Sequence, residues 1–325
     1  LELAEPLTPG LFLLYDSGTL PEPIVVLETF LQNSSSVPDE IIAELTFDSS
    51  TGTTYEYDTT GLSAGDVLRF ALQHDATSLS TGRYDYSIDL TTDISSTLTS
   101  HVFDGHHDVV NRGASTHPFG RGWQLAGLDE LEVETGGVLW VQATGDTLWF
   151  AEDGSGGFER AVGDMTFSTL ELVSGTYTLT DKHGNESTFN SSGQLTARED
   201  RNGNTISFTY TSGLLTKITD PFNRDTTLSY TSGQLTSVTD FASRTATLAY
   251  DASGRLTSIT QPDPDGAGSL ASPVTEFAYD ATSHLLTMVT NPLDDETDFT
   301  YGSHNRLTKI THPDNKSWQV TATQT

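Results

Sequence analysis

The chain has 325 residues, with 15 Lys and Arg against 45 Asp and Glu, a formal net charge of −30 and no cysteine. That balance disfavours nucleic acids and anionic membrane surfaces as partners, because both are bound through cationic faces. The missing cysteines exclude disulfides, thiolate metal sites and a cysteine nucleophile.

No apolar run reaches the ~18 residues a membrane-spanning helix needs, and no basic stretch opens the chain as a signal peptide would. Gly, Ser and Thr are abundant and amphipathic helical periodicity is scarce, so the expected class is all-β. The start at Leu1-Glu-Leu and the stop soon after the last repeat point to a processed or excised piece of something longer.

Residues 1–95 read as a β-sandwich. Ala43, Leu45 and Phe47 alternate with Glu44, Thr46 and Asp48, and Tyr84, Tyr86, Ile88 and Leu90 alternate with polar neighbours. Such alternation buries one face and wets the other. Turn clusters at Asn33–Ser36, Ser49–Gly52 and Gly61–Gly65 separate the strands, a spacing expected of an immunoglobulin-like or fibronectin-like sandwich. A module of this kind serves as a spacer or an adhesive surface.

From 96 to 135 the character changes. Phe119, Gly120, Gly122 and Trp123 set glycines beside large rings, which permits close backbone packing and suits a plug or seal. Residues 130–205 give less regular hairpins, with Val138–Val141, Leu148–Phe150 and Thr176–Thr180 as strands. They read as degenerate first members of the sheet that follows, which spans 136–325 and becomes regular from about 189.

That sheet is built on one returning pattern. Phe208-Thr-Tyr210, Leu228-Ser-Tyr230, Leu248-Ala-Tyr250, Phe277-Ala-Tyr279 and Phe299-Thr-Tyr301 are each followed by L-T-x-[I/V]-T, starting at Leu215, Leu235, Leu256, Leu286 and Leu307. The tyrosines are spaced by 20, 20, 29 and 22 residues, and self-similarity at such a period marks a repeat architecture. In [F/L]-x-Y the two large residues share a strand face. Thr211-Ser-Gly213 and Thr231-Ser-Gly233 supply tight turns. The return strand is rich in β-branched residues, and its Leu and Ile/Val stand three apart. Either both faces are partly covered or a bulge lies between them. Each repeat is one β-hairpin, marginal alone and stable when stacked on neighbours. The long spacing holds an insertion, Gln261–Ser269, expected to project as a loop.

Tyr250-Asp-Ala-Ser-Gly-Arg-Leu-Thr-Ser-Ile-Thr260 resembles the YD repeat of the Rhs family, and Tyr301-Gly-Ser-His-Asn-Arg-Leu-Thr308 is a looser copy. Asp181–Asn185, Phe189–Gly193 and Asp200–Thr205 resemble the way such arrays begin, and residues 118–128 resemble the entry segment that precedes them. Asp follows the Tyr only at Asp251 and Asp280, and Ser283 and Asn305 stand near where a turn glycine belongs. The family includes bacterial polymorphic toxins, a component of insecticidal toxin complexes and the animal teneurins. The resemblance implies a spiral of β-hairpins forming a shell, sometimes around a C-terminal toxin domain.

Chemistry-bearing groups are few. His101, His106, His107, Asp108 and His117 are close in sequence, but their spacing matches no zinc motif. Asp263 and Asp265 echo a calcium loop without its downstream bidentate acid, as do Asp294, Asp295, Glu296 and Asp298. No G-x-S-x-G, H-E-x-x-H or Walker loop occurs. The expectation is a non-enzymatic, extracellular bacterial protein without a required cofactor: a shell wall or surface scaffold, with other protein chains or its own C-terminal cargo as partners. Two rivals stand beside it. One is a self-assembling fibre or layer built by head-to-tail contacts; the other is a glycan-binding module using Trp140, Trp149 or Trp318.

Overall fold

The computed structural model describes residues 2–7, 11–16, 24–30, 37–63, 66–160, 167–266, 268–302 and 305–319. The turn expected at Asn33–Ser36, residues 64 and 65 of the Gly61–Gly65 turn, Ala267 of the insertion and residues 303 and 304 of the last Tyr-linked turn lie outside them. The described elements are β-strands, as the composition predicts, and no described helix is long and apolar enough to cross a membrane.

The described residues divide into two compact units, one within 1–20 and 110–321, the other within 21–109. This differs from the expected 1–95, 96–135 and 136–325 partition at both ends of the first segment. Leu11–Asp16 pairs with Trp123–Leu125, and Leu13 and Tyr15 are fully buried in the core that also holds the repeats. The strand Thr97–Val109 belongs to the other unit, paired along its length with Gly82–Ile94.

In that second unit four strands run in the order Ser50–Tyr57, Glu40–Phe47, Gly82–Ile94, Thr97–Val109, beside a pair formed by Ile24–Phe30 and Val67–Gln73. Ile41, Ala43, Leu45, Ile88 and Leu90 point inward as their alternation requires, and Leu72 of the strand pair is buried among them. The bulge between Glu44 and Thr46 on the Ser50–Tyr57 side leaves that inward face unbroken.

In the first unit, Glu130–Glu134, Gly137–Val141, Thr147–Glu152 and Phe158–Arg160 form a four-stranded sheet of their own. They are therefore not the opening strands of the array, although Leu131, Val138 and Phe150 join its core. The array itself is a fifteen-stranded antiparallel meander from Thr169–Val173 to Ser317–Gln319, each strand bonded to the next in sequence.

A bulge settles the three-residue spacing in L-T-x-[I/V]. Ser229 pairs with Ser237 but Tyr230 pairs with Leu235, so Thr236 is the extra residue on the return strand. The same slip occurs at Tyr210, Tyr250, Tyr279 and Tyr301, and one copy earlier at Phe189 opposite Leu195. One inserted residue restores a common face, so Leu235, Val238 and Leu256 are fully buried and Ile259 nearly so. The motif threonine is the bulge residue. Its hydroxyl donates to the carbonyl before the tyrosine, Thr236 Oγ1 to Ser229 O at 3.2 Å, and Thr216 and Thr308 do likewise.

The turns alternate between two rims. On one, Ser212-Gly213 and Ser232-Gly233 have positive φ at both residues, the two-residue hairpin turn that matches strand twist. Where glycine is missing, His284 (not Ser283) and Asn305 take the left-handed conformation. On the other rim an Asp clamps the turn: Asp220 Oδ1 accepts the N–H groups of Phe222 and Arg224, while Oδ2 accepts Arg224 Nε at 2.6 Å. Asp240 does the same with Ala242 and Arg244, and Asp251 carries the clamp to the opposite rim. Much of the chain's acid is thus spent locally, on turns.

Candidate functional site

The site of greatest structural consequence is the rim where residues 112–131 meet the repeats. Arg112 starts the segment, its guanidinium donating to the carbonyls of Ala143 and Gln142 at 2.9 and 2.8 Å. The backbone then bonds to successive repeats: Leu235 N–H to Pro118 O at 2.8 Å, Arg121 N–H to Gly254 O at 2.9 Å, and Leu131 N–H to Gly193 O at 2.9 Å. Gly193 and Gly254 have positive φ, and a Cβ on either would overlap the carbonyl of Leu131 or Ser115. These two turn glycines are needed for close approach as well as for the turn.

Behind this seam lies an aromatic cluster. Trp123 is fully buried, its ring 5.2 Å from Tyr15 and 5.0 Å from Phe277. Trp123 Nε1 donates to the Tyr279 hydroxyl at 2.9 Å, which donates to Leu256 O at 2.7 Å. Leu286 N–H donates to the Tyr15 hydroxyl at 2.9 Å. Of the four entry residues, Phe119 and Trp123 are buried, while Gly120 and Gly122 carry positive φ, Gly120 against the Tyr250 ring.

The repeat residues are brought together in one core. Leu215, Leu228, Leu235, Leu248, Leu256, Phe277, Leu286 and Phe299 are buried, and Phe208, the five tyrosines and Leu307 pack against them half-buried. Tyr230, Tyr279 and Tyr301 each donate to the leucine carbonyl one repeat back, at Leu215, Leu256 and Leu286. The Tyr250 hydroxyl is buried with no partner among the described residues. Burial pushes all five phenols above their ordinary range.

Between the entry segment and this rim is a cavity of about 260 Å³ lined by His117, Phe119, Glu130, Glu132, Tyr210 and Tyr230 among others. Glu130 accepts Gln124 Nε2 at 2.6 Å. Burial raises the Glu130 carboxyl against the pull of Gln124 and Arg112, and burial, then Glu130 and Glu134, raise Glu132. His117 is pushed down to about 4, by burial first and then by Arg112.

Other sequence candidates do not converge. His101, His106 and His107 lie on the Thr97–Val109 strand, where His106 Nδ1 is 2.7 Å from Asp85 and His107 packs edge-on to Phe47. His117 belongs to the other unit. Asp263 accepts the Asp265 N–H, and Asp265 accepts that of Leu270. Among the described residues no three His, Asp or Glu side chains gather as a metal ion would require. Trp318 is 58% exposed, but Trp140 and Trp149 are only partly so. Trp140 donates to Asp129, and Trp149 lies against Gly137. Leu13, Tyr15, His117 and Glu130 carry the seam without any local motif to announce them; the bulge threonines were in plain view as the T of every L-T-x-[I/V]-T.

The RHS Repeat family model matches residues 189–225, 230–266 and 279–317. No curated protein matches. Two crystal structures, one of TcdB2-TccC3-Cdc42 and one of TcdB2-TccC3 without its hypervariable C-terminal region, align at 16% identity and TM-score 0.35. Each covers 81% of this chain, which spans 16% of theirs. A third, of TcdB2-TccC3-TEV, aligns at 15% identity and TM-score 0.35 over 89% of this chain and 17% of its own. With three family matches falling on the bulged Tyr–Leu hairpins, residues 189–317 are an array of YD/RHS repeats within an all-β fold.

Proposed function

We propose that this chain is a non-enzymatic structural segment of a larger Rhs-type protein on the outside of a bacterial cell. Its repeat sheet acts as a wall or surface scaffold toward other protein chains or the protein's own cargo. The observation that supports this reading is the tie between neighbouring repeats, in which tyrosine hydroxyls donate to the leucine carbonyls of the repeat before. The repeated polar atoms are consumed in holding hairpin to hairpin, which is what a wall requires. The 21–109 unit would then be a spacer or adhesive module.

Limited proteolysis of the native parent polypeptide, read by intact mass, tests it. A wall gives a resistant block covering residues 110–319; rapid cutting at the 220–224 and 240–244 turns would overturn it. Light scattering on the same sample separates a lone wall from a fibre or layer, which grows with concentration.

A glycan-binding role is favoured by one cleft of about 520 Å³, where Trp140 meets Asp181, Asn185, Arg198, Asp200 and Asn204. An aromatic ring beside planar polar groups suits a sugar. Quenching of tryptophan fluorescence by polysaccharide, lost in Trp140→Ala but kept in Trp318→Ala, would mark this cleft as the site.

A further inference from the structure

The cavity beneath the entry segment has a chemistry that the wall does not use. Two carboxyl groups, Glu130 and Glu132, line it, and no lysine or arginine does. Arg112 acts on Glu130 from nearby, but its guanidinium donates to the Gln142 and Ala143 carbonyls. His117 also lines the space, but its Nδ1 is fully buried and has no surface on it. The aromatic faces present are Phe119, Tyr210 and Tyr230, the last with its hydroxyl fixed on Leu215 O at 2.7 Å.

The carboxyls and the rings suit the same kind of occupant. Carboxylates held away from water favour a counter-cation. Tyrosine and phenylalanine rings attract cations over their faces. An anion would meet two carboxyls. Among the described residues the ligand set for a metal ion is absent. At about 260 Å³ the space is smaller than the ~300–1,000 Å³ of drug-sized pockets, so the occupant is small.

We propose that this cavity binds an organic ammonium ion, its charged head at Glu130 and Glu132 and its alkyl body against Phe119, Tyr210 and Tyr230. One wall is the entry segment and the other the first regular repeats, so the ligand ties the two together and stabilises the seam. The ammonium can belong to a free alkylamine or to a lysine side chain of a peptide.

Calorimetry and thermal melting of the full chain at 150 mM salt, to suppress general attraction to so acidic a surface, test the proposal with three probes. These are 1,4-diaminobutane, an N-acetyl-lysine amide with a free side-chain amine, and the neutral 1,4-butanediol. The expected result is saturable binding of an amine with a raised Tm, at least tenfold weaker in Glu130→Gln and unchanged in Glu171→Gln, an exposed position outside the cavity. Binding of diaminobutane assigns the site to free amines; binding of the lysine derivative alone assigns it to a peptide side chain. No binding of either amine at millimolar concentration, equal binding of butanediol, or affinity undiminished in Glu130→Gln would overturn it. Should Glu130→Gln unfold, Glu132→Gln with NMR shifts of the Tyr210 ring supplies the same comparison.

Discussion

Trp123 and Tyr279, 156 positions apart in the chain, are joined by a 2.9 Å hydrogen bond from the indole to a phenol that in turn donates a hydrogen bond to Leu256 O. This relay pins the entry segment to the fourth Tyr hairpin. Tyr279→Phe leaves both the indole N–H and the carbonyl unsatisfied, at a cost of about 2 kcal/mol or more. Tyr301→Phe, which breaks one bond to Leu286 O, should cost about 1 kcal/mol. Urea midpoints of the two variants check the order; equal midpoints would contradict the relay.

Tyr250 gives the opposite expectation. Its hydroxyl is buried without a partner among the described residues, so Tyr250→Phe removes a desolvated polar group rather than a bond. The variant should be neutral or more stable by up to ~1 kcal/mol, whereas Tyr230→Phe, losing the tie to Leu215 O, should be less stable. Tyr250→Ala, by contrast, deletes a packed ring and should loosen the array locally.

The bulge threonine is predicted to matter through its hydroxyl. Thr236→Val keeps shape and β-propensity but strips the donor to Ser229 O, at about 1 kcal/mol. Thr245→Val, on the Thr245–Tyr250 strand outside a bulge and paired only with the Thr239 hydroxyl, should cost less. A larger loss at Thr245 than at Thr236 in chemical denaturation would argue against the capping role.

Gly254→Ala and Gly213→Ala make a matched pair. Both have positive φ, but only at Gly254 does an added Cβ meet backbone, the Ser115 carbonyl; Gly213 has open space. Gly213→Ala should therefore show only the left-handed strain, about 1 kcal/mol. Gly254→Ala should in addition lift residues 112–131, seen as faster proteolysis there. Equal proteolysis of the two variants would disprove the close approach.

The pH response separates His117 from the carboxylates. Its folded value of about 4 lies below the ordinary 6.5, so the unfolded chain binds the proton first. The stability it contributes is complete above 6.5 and is lost as pH falls toward 4, with a slope of up to about 1.4 kcal/mol per pH unit. Glu130, raised by burial, acts in the opposite sense below its folded value. The Asp clamps act lower still, Asp200 being held to about 2 by Asn204, with their stability lost below the usual carboxylate range. His117→Gln should flatten the slope between pH 6.5 and 4. An unchanged slope in melts across that range would show that His117 is not buried as neutral imidazole.

The repeat hairpins were legible because everything that makes them is local. Tyr230 and Leu235 are five residues apart, their turn is Ser232-Gly233, and the bulge at Thr236 follows from the three-residue step to Val238. Strand, turn and partner all fall inside one window, so the pattern states the pairing directly. The alternation of Ala43, Leu45 and Phe47 is of the same kind.

The extent of the units was not legible in that way. Leu11–Asp16 reads as one more apolar strand, and nothing near it says that its partner is Trp123–Leu125 or that Tyr15 caps Leu286. The split between the 130–160 sheet and the array depends on which backbone edges meet, and residues on both sides are equally β-prone. Likewise His117 and Glu130 are unremarkable in sequence and become a cavity only when the entry segment lies across the repeats. The sequence by itself determined the hairpin, its register and its repetition, because short-range sterics and alternation suffice for those. The tertiary structure alone decided which distant strand completes the core and which polar groups lose water, because those depend on contacts between residues far apart in the chain, as with Tyr15 and Leu286.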